Sequence, residues 1–221
     1  MKFSKIHESL IVLCVIFLVF LFWNSPIVYP VKLLSIYFHE MSHSIVTLIT
    51  GGKVTYVGIT SNLGGITNSQ GASDSAVLIS GYLGSTIFGI LTYLFSSKRD
   101  FSRVYLVFLS ILFLAFSTFM VKNSYGVVAG VIIAVIFFAL VFIKNQIFLS
   151  ILLKIIALIN MAYVINDVIH DTFVTVNIYS DAARLEQLTG YSDNIWGILW
   201  IAVAVIAFII ILWDLLRGLG K

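Results

Sequence analysis

The sequence predicts an all-α membrane protein, a bundle of about six or seven transmembrane helices with one small β-hairpin. Of its 221 residues, 60% are apolar and 10% are charged, whereas a soluble domain is about half apolar and a quarter charged. The mean hydropathy is +1.08. The apolar residues also fall in runs of about 20, the length at which a helix crosses a bilayer. The connections are short, so residues 1–221 are predicted to form a single integral membrane domain.

Seven spans are predicted in chain order. They cover residues 4–23, 30–50, 75–95, 103–120, 125–143, 147–167 and 194–216. The first is interpreted as an uncleaved helix, because its apolar run ends in Phe22-Trp23-Asn24 with no small-residue cleavage pattern. Gly51-Gly52 ends the second, since glycine tolerates the left-handed conformation of a helix C-terminus. A short helix capped by Ser180-Asp181 is expected to lie at the membrane interface.

The segment between the second and third spans is predicted to be a β-hairpin. Val54 to Ile59 alternates and is rich in β-branched residues, Leu63-Gly64-Gly65 favours a turn, and Ile66-Thr67-Asn68 begins a return strand. An isolated hairpin is marginally stable, so we expect it to pack on the helices. A plain connecting loop is the alternative interpretation.

Composition argues against two other classes of protein. The net charge is +3 and the basic residues are scattered, so nothing indicates nucleic-acid binding. The single cysteine, Cys14, lies in an apolar run, which rules out a disulfide framework or a cysteine zinc site within this sequence.

The strongest chemical signal is His39-Glu40-Met41-Ser42-His43 in the second predicted span. Residues four apart share a helix face, so both imidazoles can reach one ion. Glu40 is then placed to hold and deprotonate a water at the open metal position. This pattern also arises by chance on the polar surfaces of soluble helices. Here the flanks are apolar, and ionisable groups within a membrane are costly, which favours the metal site.

A catalytic zinc ion takes three protein ligands, so a third must come from elsewhere. Asp167 and Asp171 share a helix face at the end of the sixth span, and counting crossings puts that end on the same side as His43. Asp167 is the preferred ligand, with Asp171 as the alternative or as a group holding a ligand or water. His170 and Asp181 stay open as further ligands, although Asp181 is more typical of a helix cap. Alternatively, Asp167 and Asp171 simply lie at a helix end that is hydrated in the headgroup region.

These motifs together resemble the site-2 protease family of intramembrane zinc metalloproteases, in its compact branch without an inserted peptide-binding domain. The resemblance rests on six motifs that follow one another in the chain. In order these are His39-Glu40-x-x-His43, Gly51-Gly52, Gly81-Tyr82-Leu83-Gly84-Ser85, Asn160-x-x-Tyr163-x-x-x-Asp167-x-x-x-Asp171, Ser180-Asp181-Ala182 and Trp196-Gly197-x-x-Trp200.

The resemblance implies a mechanism. His39, His43 and the aspartate matching Asp167 would bind Zn²⁺, and Glu40 would act as the general base. Better-known members carry glycine directly after that aspartate, which this chain lacks, so Asp171 remains the alternative. The expected function is hydrolysis of peptide bonds in or near transmembrane segments of membrane-protein substrates. The expected partners are these substrates and the lipid bilayer, in the cell membrane of a bacterium.

Two rival functions remain at this point. A non-catalytic membrane protein would keep the metal for structure, but such a site needs no general base, and Glu40 is present. A small ion- or proton-coupled transporter would line its path with Glu40, Asp167 and Asp171, since intramembrane carboxylates also form proton relays. That rival predicts transport without tightly bound zinc.

Overall fold

The computed structural model describes residues 5–96, 99–175 and 178–217 and confirms the predicted fold class. Its elements are α1 (Lys5–Leu21), α2 (Tyr29–Ile49), β1 (Lys53–Ile59), β2 (Gly65–Gln70), α3 (Asp74–Ser96), α4 (Arg99–Phe119), α5 (Ser124–Val141), α6 (Gln146–Ile169), a π-helical turn (His170–Val174), α7 (Asp181–Thr189) and α8 (Asp193–Arg217). Ser4, where the first predicted span began, lies outside the described residues. The fourth helix begins at Arg99, four residues before the predicted span.

Within the described ranges, five helices are long and apolar enough to cross a bilayer: α3, α4, α5, α6 with its π turn, and α8. The protein is therefore a multi-pass integral membrane protein. α1 is apolar but shorter, and α2 is not among the five. α2 falls outside this group because it contains polar residues, among them Lys32, Glu40 and His43. All three are buried in the protein.

α2 lies at the centre of the bundle. Tyr37, Phe38 and Met41 are at most 1% exposed, and the Phe38 ring stacks on Phe88 of α3 with 4.5 Å between centroids. Polar side chains of α2 consequently face other protein elements instead of lipid. A helix surrounded in this way can carry ionisable groups at membrane depth, because neighbouring residues supply the polar contacts that lipid lacks.

The predicted hairpin is confirmed, and its two edges differ. β1 and β2 pair antiparallel, with Val57 opposite Thr67. The outer edge of β1 is covered by the turn between α4 and α5, where the backbone N–H of Lys122 donates to the Val57 carbonyl at 2.9 Å. In the same turn, the Asn123 amide donates to the Ile59 carbonyl at 2.6 Å and accepts from the Ile59 N–H at 3.0 Å. β2, whose only strand partner in the described ranges is β1, faces α2.

Side-chain contacts hold α1 to α6 near both of its ends. Near its start, the Glu8 carboxylate accepts from Lys154 Nζ of α6 at 2.7 Å and from the Ser150 hydroxyl. Just past its end, Trp23 lies 6.5 Å from Tyr163 of α6 between ring centroids. α1 therefore runs in the same direction as α6, whereas strict alternation of seven crossings would make these helices antiparallel.

Candidate metal centre

The two histidines of α2 converge on one point. Their Nε2 atoms are 2.9 Å apart, and their rings meet edge to face with 4.5 Å between centroids. Nδ1 of His43 lies 2.7 Å from the Val77 carbonyl of α3. Because a carbonyl only accepts, Nδ1 must carry the proton, and Nε2 of neutral His43 keeps its lone pair for a metal.

The carboxylate that joins them is Asp181, the first residue of α7. Its Oδ2 atom is 3.1 Å from Nε2 of both histidines. The hydroxyl of Ser180 accepts from the Ala183 N–H at 3.2 Å and so caps α7. Since Ser180 performs the capping, the Asp181 side chain is free to point at the imidazoles.

These three atoms fit a zinc ion. Tetrahedral ligands at about 2.0 Å from zinc are separated from one another by about 3.3 Å, close to the 2.9–3.1 Å observed. Asp181 Oδ2 is buried and, although near both imidazoles, accepts no hydrogen bond of acceptable geometry from the described residues. Burial alone would raise the pKa of the Asp181 carboxyl, but the nearby imidazoles of His43 and His39 hold that pKa below its usual value.

Glu40 is positioned by the hairpin. The glutamate is 4% exposed, and the Thr67 hydroxyl of β2 donates to its Oε2 at 2.6 Å. Its Oε1 lies against Gly65, where an added Cβ would sit only 2.1 Å from that oxygen. β2 therefore fixes the carboxylate beside the two histidines and requires a glycine at its first position.

α3 approaches the motif equally closely. A Cβ at Gly81 would lie 2.5 Å from Cε1 of His39 and 2.6 Å from Cε1 of His43, and one at Gly84 would overlap the Ser42 hydroxyl. α2 and α3 are therefore in close contact at both glycines. At Gly81 the contact is with the imidazoles themselves, so the missing side chain makes room for the site.

These side chains share one cavity of about 130 Å³. His39, Glu40, His43 and Asp181 line it, together with part of β2 and Asp171. The Asp171 carboxylate lies in the π-helical turn and accepts from the Tyr82 hydroxyl at 3.1 Å. The ring of Tyr82 in turn packs against His39, with 4.5 Å between centroids.

Asp167 lies one turn before Asp171, within electrostatic reach of His39. In the part of the chain that the structure describes, the only group of three potential ligand atoms is that of His39, His43 and Asp181. Neither Asp167 nor Asp171 joins it. The assignment of Asp167 as third ligand thus stays a prediction, with Asp181 as a geometric competitor. His170 bonds to Thr175 on the exposed side of the π turn.

Sequence reasoning missed the roles of three residues. Asp181 was interpreted mainly as a cap, although Ser180-Asp181-Ala182 belonged to the motifs carrying the family resemblance. Gly65 and Thr67 were assigned to a hairpin but not to Glu40. Their contacts join residues more than 20 positions apart, and no local pattern in the sequence signals such a contact.

Comparison with protein families gives one match, a family described as Peptidase M50B-like, over residues 11–211. No curated protein matches significantly. The solved structures likewise give no significant match.

Proposed function

Since the chain belongs to the Peptidase M50B-like family, part of the site-2 protease group of intramembrane metalloproteases, we propose that it is a zinc-dependent endopeptidase. It would cleave membrane proteins in or near their transmembrane segments, in the cell membrane of a bacterium. Family membership supports a membrane metallopeptidase in general. The observation that carries the finer proposal is the convergence of His39, His43 and Asp181 beside the buried Glu40.

His39, His43 and Asp181 would hold the metal in this proposal. Two imidazoles and one carboxylate form a typical ligand set of catalytic zinc and leave one coordination position open. A bound zinc ion supplies a Lewis acid, which acidifies water and polarises a peptide carbonyl. Val77 and Gly81 of α3 support this arrangement, the first by fixing the His43 tautomer and the second by leaving space for both rings.

Glu40 would carry the proton. It takes a proton from the attacking water and returns it to the amine that leaves when the peptide bond breaks. The Thr67 hydroxyl holds one carboxylate oxygen at 2.6 Å, so the other oxygen, beside Gly65, is the one that faces the reaction. Asp171, held by Tyr82, would orient groups around His39.

β2 would bind the substrate as an added strand. A peptide bond inside a helix is shielded by its own hydrogen bonds, so the substrate must become extended before cleavage. Asn123 and Lys122 occupy the outer edge of β1. The other edge belongs to β2, whose residues Gly65, Ile66 and Thr67 line the cavity. Main-chain pairing there would bring an extended segment to the metal.

Backbone methylation of a substrate tests strand addition. N-methyl groups at alternate residues remove the N–H donors on one edge of an extended peptide. We expect methylation in one phase to lower kcat/KM by about 10-fold or more, and methylation in the other phase to have little effect. Product analysis by mass spectrometry measures both peptides. Equal cleavage of the two methylated series would contradict the proposed role of β2.

The decisive experiment compares the wild type with Glu40→Gln. Purified wild type should contain about one zinc per chain and cleave single-pass membrane proteins reconstituted in liposomes. Glu40→Gln should keep the zinc and lose cleavage by at least about 100-fold, because it removes the base but not a ligand. Glu186→Gln, an exposed glutamate of α7, is the matched control and should behave as wild type.

Two outcomes would overturn the proposal. Wild-type protein that binds no zinc but moves protons across liposomes would support the transporter. Cleavage by Glu40→Gln at the wild-type rate would remove the role of the general base.

A further inference from the structure

A second site lies in a groove between α3 and α8 that shares no residue with the metal centre. The groove has a volume of about 590 Å³ and is lined by Ile90, Tyr93, Leu94, Val203, Ile206, Ala207, Ile210, Ile211 and Asp214. Tyr93, Ala207 and Ile211 are at most 8% exposed and form its floor, whereas Leu94, Ile206 and Ile210 are 58–63% exposed and form its walls. Both helices are candidate membrane spans, so an apolar groove between them opens toward hydrocarbon.

The groove has the dimensions of a hydrocarbon chain. Val203, Ala207, Ile210 and Asp214 recur at spacings of three or four, so they form one stripe along α8. From Val203 to Asp214 the groove is about 16 Å long at 1.5 Å per residue. An extended acyl chain fits a groove of this length and volume.

One end of the groove is acidic. The Tyr93 hydroxyl donates to Asp214 Oδ2 at 2.7 Å, which fixes the carboxylate at the end of the apolar stripe. Lys154 Nζ lies 5.9 Å from the centroid of the Tyr93 ring, but it is paired with Glu8 at 2.7 Å. This lysine therefore does not neutralise Asp214.

A basic group follows at the next position of the same stripe. Arg217 is three residues after Asp214, and its guanidinium lies 5.2 Å from the ring centroid of Trp213. Tryptophan near a helix end is typical of the headgroup region. Asp214 lies at the end of the groove, and Arg217 lies one helical turn beyond the residues that line it, so an anion and a cation are close together at headgroup level.

We propose that this groove binds one acyl chain of a zwitterionic phospholipid with a primary amine, such as phosphatidylethanolamine. The ammonium group donates to Asp214 and the phosphate accepts from Arg217, which recognises phosphate through its planar fork. A quaternary ammonium headgroup has no N–H to donate to Asp214. The anionic headgroup of phosphatidylglycerol has no cationic group to place beside Asp214. The charge pair thus selects the amine lipid over both.

Native mass spectrometry of delipidated protein tests this site. Phosphatidylethanolamine, phosphatidylcholine and phosphatidylglycerol with identical acyl chains are titrated in turn. We expect one phosphatidylethanolamine per chain, bound at least about 10-fold more tightly than either competitor. Asp214→Asn keeps an acceptor for Tyr93 but removes the charge, and should abolish this preference. Asp193→Asn, on the same helix but outside the groove, should retain it.

A photo-crosslinking residue at the exposed groove wall position Ile206 identifies the occupant in native membranes. An adduct with the mass of one phospholipid supports the proposal. A polypeptide adduct, from a second copy or from another protein, overturns it. Equal affinity for the three lipids, or an unchanged preference in Asp214→Asn, also overturns it.

Discussion

Three aspartates surround the motif histidines, and they reach them differently. Asp181 places its Oδ2 3.1 Å from both Nε2 atoms. Asp171 lines the same cavity but is bonded to Tyr82. Asp167 lies one turn earlier in the chain, in α6, within electrostatic reach of His39. Ligand bonds are far shorter than electrostatic reach, so only the first has the geometry of a ligand.

Matched asparagine variants separate these roles. Asp181→Asn should weaken zinc binding by more than about 100-fold, because it removes a charged ligand. Asp171→Asn should weaken it by about 10-fold, as expected for a group acting through another side chain. Asp167→Asn should bind zinc as wild type does. Competition with a calibrated chelator measures all three, and the reverse order would restore Asp167 as the third ligand.

Sequence could predict the two imidazoles because their relation is local. His39 and His43 share a helix face through the helical repeat alone. Asp181 follows His43 by 138 positions, and its approach depends on how α6, the π turn and α7 are arranged. Its place beside a capping serine also offered a simpler explanation. The approach of Asp181 to the histidines is therefore the part of the candidate site that helical periodicity could not predict.

At the scale of secondary-structure elements, the hairpin positions a side chain of α2. β1 is fixed by the turn after α4, and β2 is thereby held against Glu40. Alternation and turn residues predicted the two strands because these signals are local. These local signals do not show which strand faces α2. That orientation depends on Asn123, which bonds to β1 and lies more than 50 residues later in the chain.

Removing one hydroxyl from β2 tests this positioning. Thr67→Val keeps the shape of the side chain but removes the hydrogen bond to Glu40. A hydrogen bond to a charged group contributes about 1.5–3 kcal/mol, so we expect kcat to fall by about 10-fold or more while zinc content stays constant. Single-turnover cleavage measures the change. The control is Thr55→Val on β1, where the hydroxyl bonds to the Asn68 carbonyl away from the site; similar losses in both variants would mean general hairpin damage.

At the scale of the whole molecule, α1 depends on an ion pair inside the bundle. The Glu8 and Lys154 side chains are 17% and 12% exposed. α6 carries Lys154 in its first half and leads at its C-terminal end to the π turn and α7, which carry Asp171 and Asp181. The first helix is thus tied directly to the helix that leads to the cavity beside His39 and His43.

Breaking this pair from one side should destabilise the fold. Glu8→Gln leaves a nearly buried ammonium without its counter-ion, which costs about 3 kcal/mol. The double variant Glu8→Gln/Lys154→Met removes both charges and should recover most of that loss. Denaturant unfolding in micelles measures the cycle. Additive losses in the double variant would show that the two charges are not coupled.

The π-helical turn at His170–Val174 also sets the angle at which the chain leaves α6. Its backbone bond from Thr175 to His170 encloses one residue more than an α-helical turn. One residue corresponds to about 100° of rotation in an α-helix. If one residue were deleted here, the chain would leave α6 rotated by about 100° about the helix axis. α7 would then point away from the histidines. A single-residue insertion in a plain helix is then enough, in one step, to bring a distant carboxylate into register with two imidazoles.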